Sequence, residues 1–275
     1  MLNALGSGVN PGATGDLLLN PADYNGTMYH AMLGLHDLAV KPVTALVLAI
    51  IAVMSLAAAS ARFDQGDQQL GIRMIAATMF RIAMVLAVTE AAVAILHAID
   101  QIAVFIAGQA NQVDVGSTST GQPLGDALRS KISEADTPKQ LVMIILLLLP
   151  WLLTLITGIL AQVLIFVRFL QMYVMSSFAS LPIAFAGMEE TKGIAIGFVK
   201  RYATVALQGA VLIISIKLYQ ALMGSWLTSG LKVDPTADVW DVITGNIGDF
   251  FVAPFVLAFI LFGAMSVSRA IIGEG

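Results

Sequence analysis

The stretch that decides the fold runs from residue 176 to residue 209 and reads SSFASLPIAFAGMEETKGIAIGFVKRYATVALQG. A short charged segment at residues 187–193, GMEETKG, interrupts sequence that is otherwise compatible with lipid. Beyond it, Phe198, Lys200 and Arg201 open a new hydrophobic helix that carries Gln208. Apolar segments joined by short charged elbows are typical of an integral membrane protein, because only helices bury all their backbone hydrogen bonds in lipid.

The composition agrees with this interpretation. Hydrophobic residues make up 58% of the 275 residues, charged residues only 12%, and the mean hydropathy is +0.86. The length fits one membrane domain of several helices with short loops, without a further globular catalytic domain. The chain has no cysteine, which excludes disulfides, thiolate metal sites and cysteine nucleophiles. A net charge of −4 argues against tight, nonspecific binding of nucleic acid.

Five apolar runs are long enough to cross about 30 Å of hydrocarbon at roughly 1.5 Å per helical residue. They cover roughly residues 42–61, 82–106, 141–167, 198–223 and 250–270. We therefore predict an all-α fold, a polytopic transmembrane helical bundle of about five spans, within a transmembrane domain at residues 41–275. Residues 1–40 lack the basic start of a signal peptide and are predicted to remain as an extracytoplasmic segment with an interfacial helix.

A sixth apolar run, 169–187, is assigned from charge, because cytoplasmic loops are enriched in Lys and Arg. We expect it to return to its side of entry as a re-entrant or interfacial hairpin, with Pro182 at the turn. With an external N-terminus, more than half of the 14 basic residues then face the cytoplasm. They are Arg62, Arg73, Arg81, Arg168, Lys192, Lys200, Arg201 and Arg269. The prediction is five crossings, with the N-terminus outside and the C-terminus in the cytoplasm.

Polar residues within the spans are candidate functional groups, because lipid penalises a charged one by about 2.5–3.5 kcal/mol on insertion scales. They are Glu90, Asp100, Gln162, Gln208 and Lys217. Helix arithmetic from the flanking arginines predicts a belt of Glu90, Gln162 and Gln208 at one depth. It also predicts that Asp100 and Lys217 meet near the external boundary. Helix packing, a wet channel lining and a proton relay are three roles that fit such residues.

No enzyme signature is present in the sequence. It has no HExxH, no GxxxxGK[ST], no GxSxG and no pair of aspartates on adjacent spans. His30 and His36 have no third metal ligand nearby in the sequence. We therefore expect a protein that is not an enzyme and that binds neither cofactor nor metal.

An ordered set of short segments carries a resemblance to a known family. It begins with AVKPV at residues 39–43, a first span closing on Arg62, and LGIRMI at residues 70–75. The most specific part comprises Arg168-Phe169, Tyr173, SLPIA at 180–184, EETKG at 189–193, FVKR at 198–201 and Gln208-Gly209. In this order the segments resemble the TrbL-type polytopic inner-membrane subunit of bacterial type IV secretion and conjugation systems, especially versions on mobile elements of Gram-positive bacteria. The resemblance covers residues 21–223 and is most specific over 168–209.

This resemblance implies a channel or scaffold component of the bacterial plasma membrane, assembled as a homo-oligomeric ring. Its implied partners are other secretion subunits, including membrane-anchored assembly proteins and ATPases, with transient single-stranded DNA and relaxase or protein cargo. The implied cytoplasmic elbow, where a partner or substrate would bind, comprises Arg168, Pro182, Glu189, Glu190, Lys192, Lys200 and Arg201. The alternative is a stand-alone transporter or channel for small solutes. The sequence leaves open the number of subunits, the type of cargo, and whether the subunit lines a conduit or acts only as a scaffold.

Overall fold

The computed structural model of the chain describes residues 11–63, 68–113, 137–229, 244–245 and 247–273. Its long helices are α4 (Lys41–Phe63), α5 (Gln68–Glu90), α6 (Ala92–Gln112), α7 (Thr137–Ser177), α9 (Lys192–Ser229) and α10 (Ile247–Ile272). Short helices precede and connect them: α1 (Pro11–Asp16), α2 (Pro21–Tyr24), α3 (Gly26–Leu35) and α8 (Ser180–Ala184). A π-helical turn, His36–Val40, joins α3 to α4, and a 3₁₀ turn, Phe185–Gly187, follows α8.

Within the described part of the chain, five helical segments are long and apolar enough to cross a membrane. They are Gly26–Ala61, Ala92–Gln112, Ile144–Ser177, Lys192–Leu222 and Pro254–Ile272. All the regular structure in the described residues is helical, with no strand among them. The predicted fold class, an all-α polytopic membrane protein with about five spans, is therefore confirmed.

Local sequence explains how the N-terminal helices begin. Asn20 accepts a hydrogen bond from the Asp23 backbone N–H at 2.9 Å, and Pro21 occupies the first helical position of α2. Asn25 caps α3 in the same way through the Met28 N–H at 3.1 Å. Asn side chains and an N1 proline satisfy or remove backbone donors that a helix start leaves unpaired. Within the predicted N-terminal segment, residues 1–40, helix α3 continues through the π-helical turn into α4.

Helices α4 and α5 form an antiparallel pair joined at residues 64–67. The pairing is symmetrical about that connection, because Lys41 at the start of α4 meets Glu90 at the end of α5. A single residue, Ala91, separates α5 from α6, and its N–H still donates to the Ala87 carbonyl at 3.0 Å. The predicted second span, 82–106, is thus divided between two helices at Ala91.

The chain reverses between α7 and α9. Residues 169–177 continue α7 as regular helix, and the turn then tightens through hydrogen bonds from the Phe178 N–H to the Met175 carbonyl and from the Ala179 N–H to the Ser176 carbonyl. Residues 180–187 form α8 and the 3₁₀ turn, which pack on both α4 and α5. The segment predicted as a hairpin therefore has two parts, a helical extension and a short connector. Pro182 lies within α8, half-buried, rather than at an open turn.

The connector approaches α4 closely at one glycine. A Cβ atom at Gly187 would lie 2.8 Å from the Ile51 Cγ2 atom and 3.5 Å from Val85 Cγ1. Real Cβ contacts are longer than the first distance, so only glycine fits without movement of Ile51. Interiors are packed so closely that such an insertion forces neighbouring side chains or backbone to shift.

The described residues divide into two compact units. One comprises Leu19–Ala103, Arg168–Leu207 and Arg269–Gly275, and we call it the polar unit because the buried Asp100 and Arg168 lie there. The other comprises Met1–Leu18, Val104–Val167 and Gln208–Ser268. In this second unit α10 buries Leu257, Leu261, Ala264 and Ser268, a spacing that follows one face of a helix.

Candidate functional site: a buried polar cluster between membrane helices

Three helices of the polar unit meet at a hydrogen-bonded chain of side chains. The Tyr202 hydroxyl of α9 donates to Asp100 Oδ2 of α6 at 2.8 Å. The Ser176 hydroxyl of α7 donates to the Tyr202 oxygen at 3.3 Å. All three side chains are buried, and Tyr202 has no exposed surface at all. Tyr202 therefore links an acid on one helix to a hydroxyl on another.

Arg168 of α7 lies in the same cluster and is buried to 2% exposure. Its Nη2 donates to the Ala206 carbonyl of α9 at 3.5 Å, and its guanidinium lies 4.8 Å from the centre of the Phe169 ring. A cation within about 6 Å of an aromatic face is attracted by the ring quadrupole. Arg168 and Asp100 also attract each other electrostatically. The buried acid and the buried base therefore offset one another's charge inside the helical bundle.

The cluster leaves three buried polar atoms without a hydrogen-bond partner in the described residues: Asp100 Oδ1, Arg168 Nε and Arg168 Nη1. Nearly all buried polar groups in folded proteins have a partner, which is often an ordered water molecule. An acceptor and two donors near one another form the polar surroundings that a buried water requires. The site can thus hold helices in a fixed register, and it has the polarity to hold water.

The N-terminal segment is anchored next to this cluster. The Tyr24 ring stacks on the Phe169 ring, with centroids 3.9 Å apart and planes 8° from parallel. The Tyr173 hydroxyl donates to the Pro21 carbonyl at 2.6 Å. His36 Nδ1 lies 3.1 Å from the Ser177 carbonyl oxygen. Residues 21–36 therefore lie alongside the last turns of α7.

An ion pair marks the open end of the α4–α5 hairpin. Lys41 Nζ lies 2.9 Å from Glu90 Oε2, and the two side chains are 45% and 57% exposed. Nearby, the Thr44 and Ser180 hydroxyls lie 3.0 Å apart, which ties α4 to the connector. The space between α4 and α5 below the ion pair is a groove of about 260 Å³. Its walls are mostly apolar: Ala45, Leu48, Ala49, Ala52, Ile82 and Leu86.

The elbow at residues 189–201 presents charge on the surface. Glu189 lies 3.4 Å from Arg81 of α5, and both are exposed. The Thr191 hydroxyl donates to the Phe185 carbonyl at 2.8 Å, which fixes the chain just before α9 begins at Lys192. Glu190, Lys192, Lys200 and Arg201 are also exposed.

The structure shows the surroundings of each intramembrane polar residue within its own unit. Glu90 is half-exposed at the end of α5 and pairs with Lys41, so it lies level with the start of α4 rather than halfway along a span. In the second unit Gln162 is exposed, Gln208 is buried and Lys217 is half-buried. The belt joining Glu90, Gln162 and Gln208 stays a prediction, as does the pairing of Asp100 with Lys217.

The structure places Arg168 in the buried polar cluster. Arg168 was predicted as part of the cytoplasmic elbow, and Asp100 as a residue near the external boundary. Both lie in one buried cluster, because the antiparallel packing of α7 and α9 brings residues 168–176 beside residues 202–206. Arg168 is therefore buried among polar groups, whereas the other charged residues assigned to the elbow are exposed.

Sequence reasoning missed Tyr202, Ser176 and Lys41 as partners. Tyr202 and Ser176 both lie in the stretch that decides the fold, and each is a hydroxyl residue within a long apolar helix. Because a polar atom inside a membrane needs a hydrogen-bond partner, the position of these hydroxyl groups within apolar helices indicates that they bond to other helices. Lys41 is the first basic residue of the chain and directly precedes twenty uncharged residues, which gave no indication that it pairs with Glu90.

The side chains of the cluster are placed to link helices. Among the described residues, no group of three or more His, Asp or Glu side chains is placed to hold a metal ion. The arrangement instead links α6, α7 and α9 through buried polar contacts, which is how membrane helices are held together in addition to close packing. The fold and site together define a multi-pass helical membrane protein with a buried polar cluster between its helices.

Residues 12–180 match the family model described as TrbL/VirB6 plasmid conjugal transfer like protein. This match covers more than half of the chain, so the protein belongs to that family. The family is a membrane component of conjugal transfer machinery and is not known as an enzyme. No curated protein and no solved structure matches the chain.

Proposed function

We propose that the chain is a non-enzymatic channel or scaffold component of a type IV secretion machine that carries out conjugative DNA transfer. The observation that carries this proposal is the family match over residues 12–180 together with five helices able to span a membrane. Separate ATPases energise transfer, and membrane-anchored assembly proteins hold the subunit in the machine. The cargo is single-stranded DNA with an attached relaxase, or a protein. In this proposal the subunit is the version found on mobile elements of Gram-positive bacteria.

The proposed assembly is a ring of identical subunits. Large apolar side chains on α10, such as Phe255, Phe259 and Phe262, are 52%, 78% and 59% exposed. In a membrane these side chains contact lipid or another helix. A ring of subunits has surfaces of both kinds, one facing lipid and one facing the neighbouring subunit. The buried polar cluster has a structural role in this proposal, since it fixes α6, α7 and α9 relative to one another within the polar unit.

The elbow is the proposed point of contact with partner or cargo. Lys192 and Lys200 are exposed near the start of α9, and positive side chains there favour a passing phosphate backbone. They are eight residues apart, so they project about 80° from one another around the helix. Arg201 projects on the side opposite Lys192, about 180° away. The pair Lys192 and Lys200 is therefore better placed than all three to contact one strand.

The proposed orientation has the N-terminus outside and the C-terminus in the cytoplasm. Its support is the excess of basic residues in the segments it assigns to the cytoplasm. The stacking of Tyr24 on Phe169 puts residues 21–25 and 168–173 at one depth. With the N-terminus outside, Arg168 then lies on the outer side, and the charge argument rests on the other seven basic residues.

Disruption of the gene followed by a mating assay tests the proposed function directly. We expect loss of DNA transfer, restored by the wild-type chain, while growth and small-solute uptake stay normal. A photocrosslinker at Ile196, which is exposed between Lys192 and Lys200, is expected to capture transferred DNA, and neutralising Lys192 and Lys200 together is expected to abolish capture. Normal mating without the protein would refute the proposal, and loss of solute uptake would favour the transporter.

A further inference from the structure

We propose that the groove between α4 and α5 binds one zwitterionic phospholipid, with an acyl chain between the two helices and its headgroup at Lys41 and Glu90. This site depends only on the membrane insertion of the chain and not on its role in secretion. The groove lies wholly within the polar unit and is bounded by α4, α5 and Ser180 of the connector.

The depth of the groove fits a lipid. Lys41 and Arg62 are separated by twenty uncharged residues, so about 30 Å of helix lies between them, which is the thickness of the hydrocarbon core. Lys41 therefore lies at headgroup level. The groove continues from Lys41 along α4 to Ala52, about 16 Å towards the middle of the bilayer.

The lining of the groove changes from polar to apolar along this axis, as a phospholipid does from its headgroup to its acyl chains. Its polar residues, Lys41, Thr44, Thr89, Glu90 and Ser180, all lie at the headgroup end. The deeper walls are alanine and branched aliphatic side chains. Three of the four α4 wall residues are alanines, which leaves room beside the helix, and Ala45 and Ala49 are exposed. A chain can therefore enter sideways from the surrounding lipid.

The ion pair selects the type of headgroup. A phosphate adjacent to Lys41 and a primary amine adjacent to Glu90 would match the two charges, which are 2.9 Å apart and about half exposed. An anionic headgroup without an amine would satisfy Lys41 but leave its negative charge next to Glu90. Phosphatidylethanolamine has the complementary chemistry, whereas phosphatidylglycerol lacks the amine.

The test uses the full-length protein in lipid nanodiscs and phosphatidylethanolamine with a diazirine in its acyl chain. Mass spectrometry maps the labelled residues. We expect saturable labelling at residues 44–52 and 82–86 that unlabelled phosphatidylethanolamine displaces and phosphatidylglycerol displaces poorly. Lipid that merely surrounds the protein would label the exposed faces of all spans and would not saturate.

Two pairs of variants separate the acyl chain from the headgroup. Ala49→Trp fills the groove, and Ala57→Trp is its matched control because Ala57 is exposed on α4 but lines no wall of the groove. Each methylene group excluded lowers affinity about fourfold, so excluding two lowers it about fifteenfold. Glu90→Gln is expected to remove the preference for ethanolamine, while Glu190→Gln on the elbow leaves it intact. Circular dichroism checks the folding of each variant.

The proposal fails if labelling of the groove does not saturate, or if Ala49→Trp labels as strongly as Ala57→Trp. Equal competition by phosphatidylglycerol and phosphatidylethanolamine on the wild-type chain would also overturn it. That last measurement needs no variant, so it decides the matter even if Ala49→Trp does not fold.

Discussion

Replacing Tyr202 with phenylalanine tests whether the buried polar cluster holds the helices together. The ring keeps its volume, so no cavity forms, and only the hydroxyl is lost. That hydroxyl makes two contacts, a 2.8 Å bond to Asp100 and a 3.3 Å bond from Ser176. With it gone, both carboxyl oxygens of Asp100 would be buried without a hydrogen bond, since Oδ1 already has no partner among the described residues.

The expected magnitude follows from these two bonds. Hydrogen bonds between membrane helices average about 0.6 kcal/mol and reach about 1.7 kcal/mol. The short bond to a carboxyl group belongs at the upper end, and the long bond from Ser176 near the average. We therefore expect Tyr202→Phe to lower the free energy of unfolding by about 2 kcal/mol, roughly a 30-fold change in the unfolding equilibrium.

Reversible unfolding in mixed detergent micelles containing SDS, followed by circular dichroism, measures this change. Tyr29→Phe is the matched control, because Tyr29 is half-buried and no hydrogen bond of its hydroxyl is found in the described part of the chain. A cycle with Asp100→Ala isolates the pair, and Tyr202→Phe should cost about 1 kcal/mol or less once Asp100 is gone. If Tyr202→Phe unfolds like Tyr29→Phe, the cluster contributes nothing measurable and the reasoning is wrong.

Three further predictions address the connector, the N-terminal anchor and the orientation. Gly187→Ala should lower the free energy of unfolding by about 1–3 kcal/mol because its Cβ would lie 2.8 Å from Ile51 Cγ2, whereas Gly34→Ala meets nothing within 4 Å and serves as the control in thermal unfolding. Tyr173→Phe removes the 2.6 Å bond to the Pro21 carbonyl and should speed proteolytic cleavage near residues 15–20 without changing cleavage elsewhere; unchanged cleavage would contradict the anchor. Single cysteines at Gly15 and Gly193, where a Cβ has room, test the orientation with a membrane-impermeant maleimide. We expect the first to react in intact cells and the second only after permeabilisation. Labelling of both from one face would contradict the proposed orientation.

The segments around residue 91 show where prediction from sequence stops. Helix arithmetic from Arg81 gave the distance of Glu90 and Asp100 along a helix axis. It assumed one continuous helix over 82–106, and the hydrogen bonds of the Ala91 and Ile95 N–H groups continue the helical ladder between α5 and α6. The pairing of Glu90 with Lys41 comes from the hairpin of α4 and α5. Distances along one helix are local properties, but the neighbour across the bundle depends on which helices pack together.

The sequence alone determined that this chain is a helical membrane protein of about five spans. The reason is that lipid offers no hydrogen bonds, so apolar runs of about twenty residues have one stable structure there. The order of its short motifs also pointed to the family that the match over residues 12–180 establishes. Only the tertiary structure decided that Asp100 bonds to Tyr202, that Arg168 is buried beside them, and that Gly187 packs against Ile51. The contacts Asp100–Tyr202 and Gly187–Ile51 join residues 102 and 136 positions apart. They depend on how the helices pack side by side and rotate about their axes, and neither property gives a periodic pattern in the sequence.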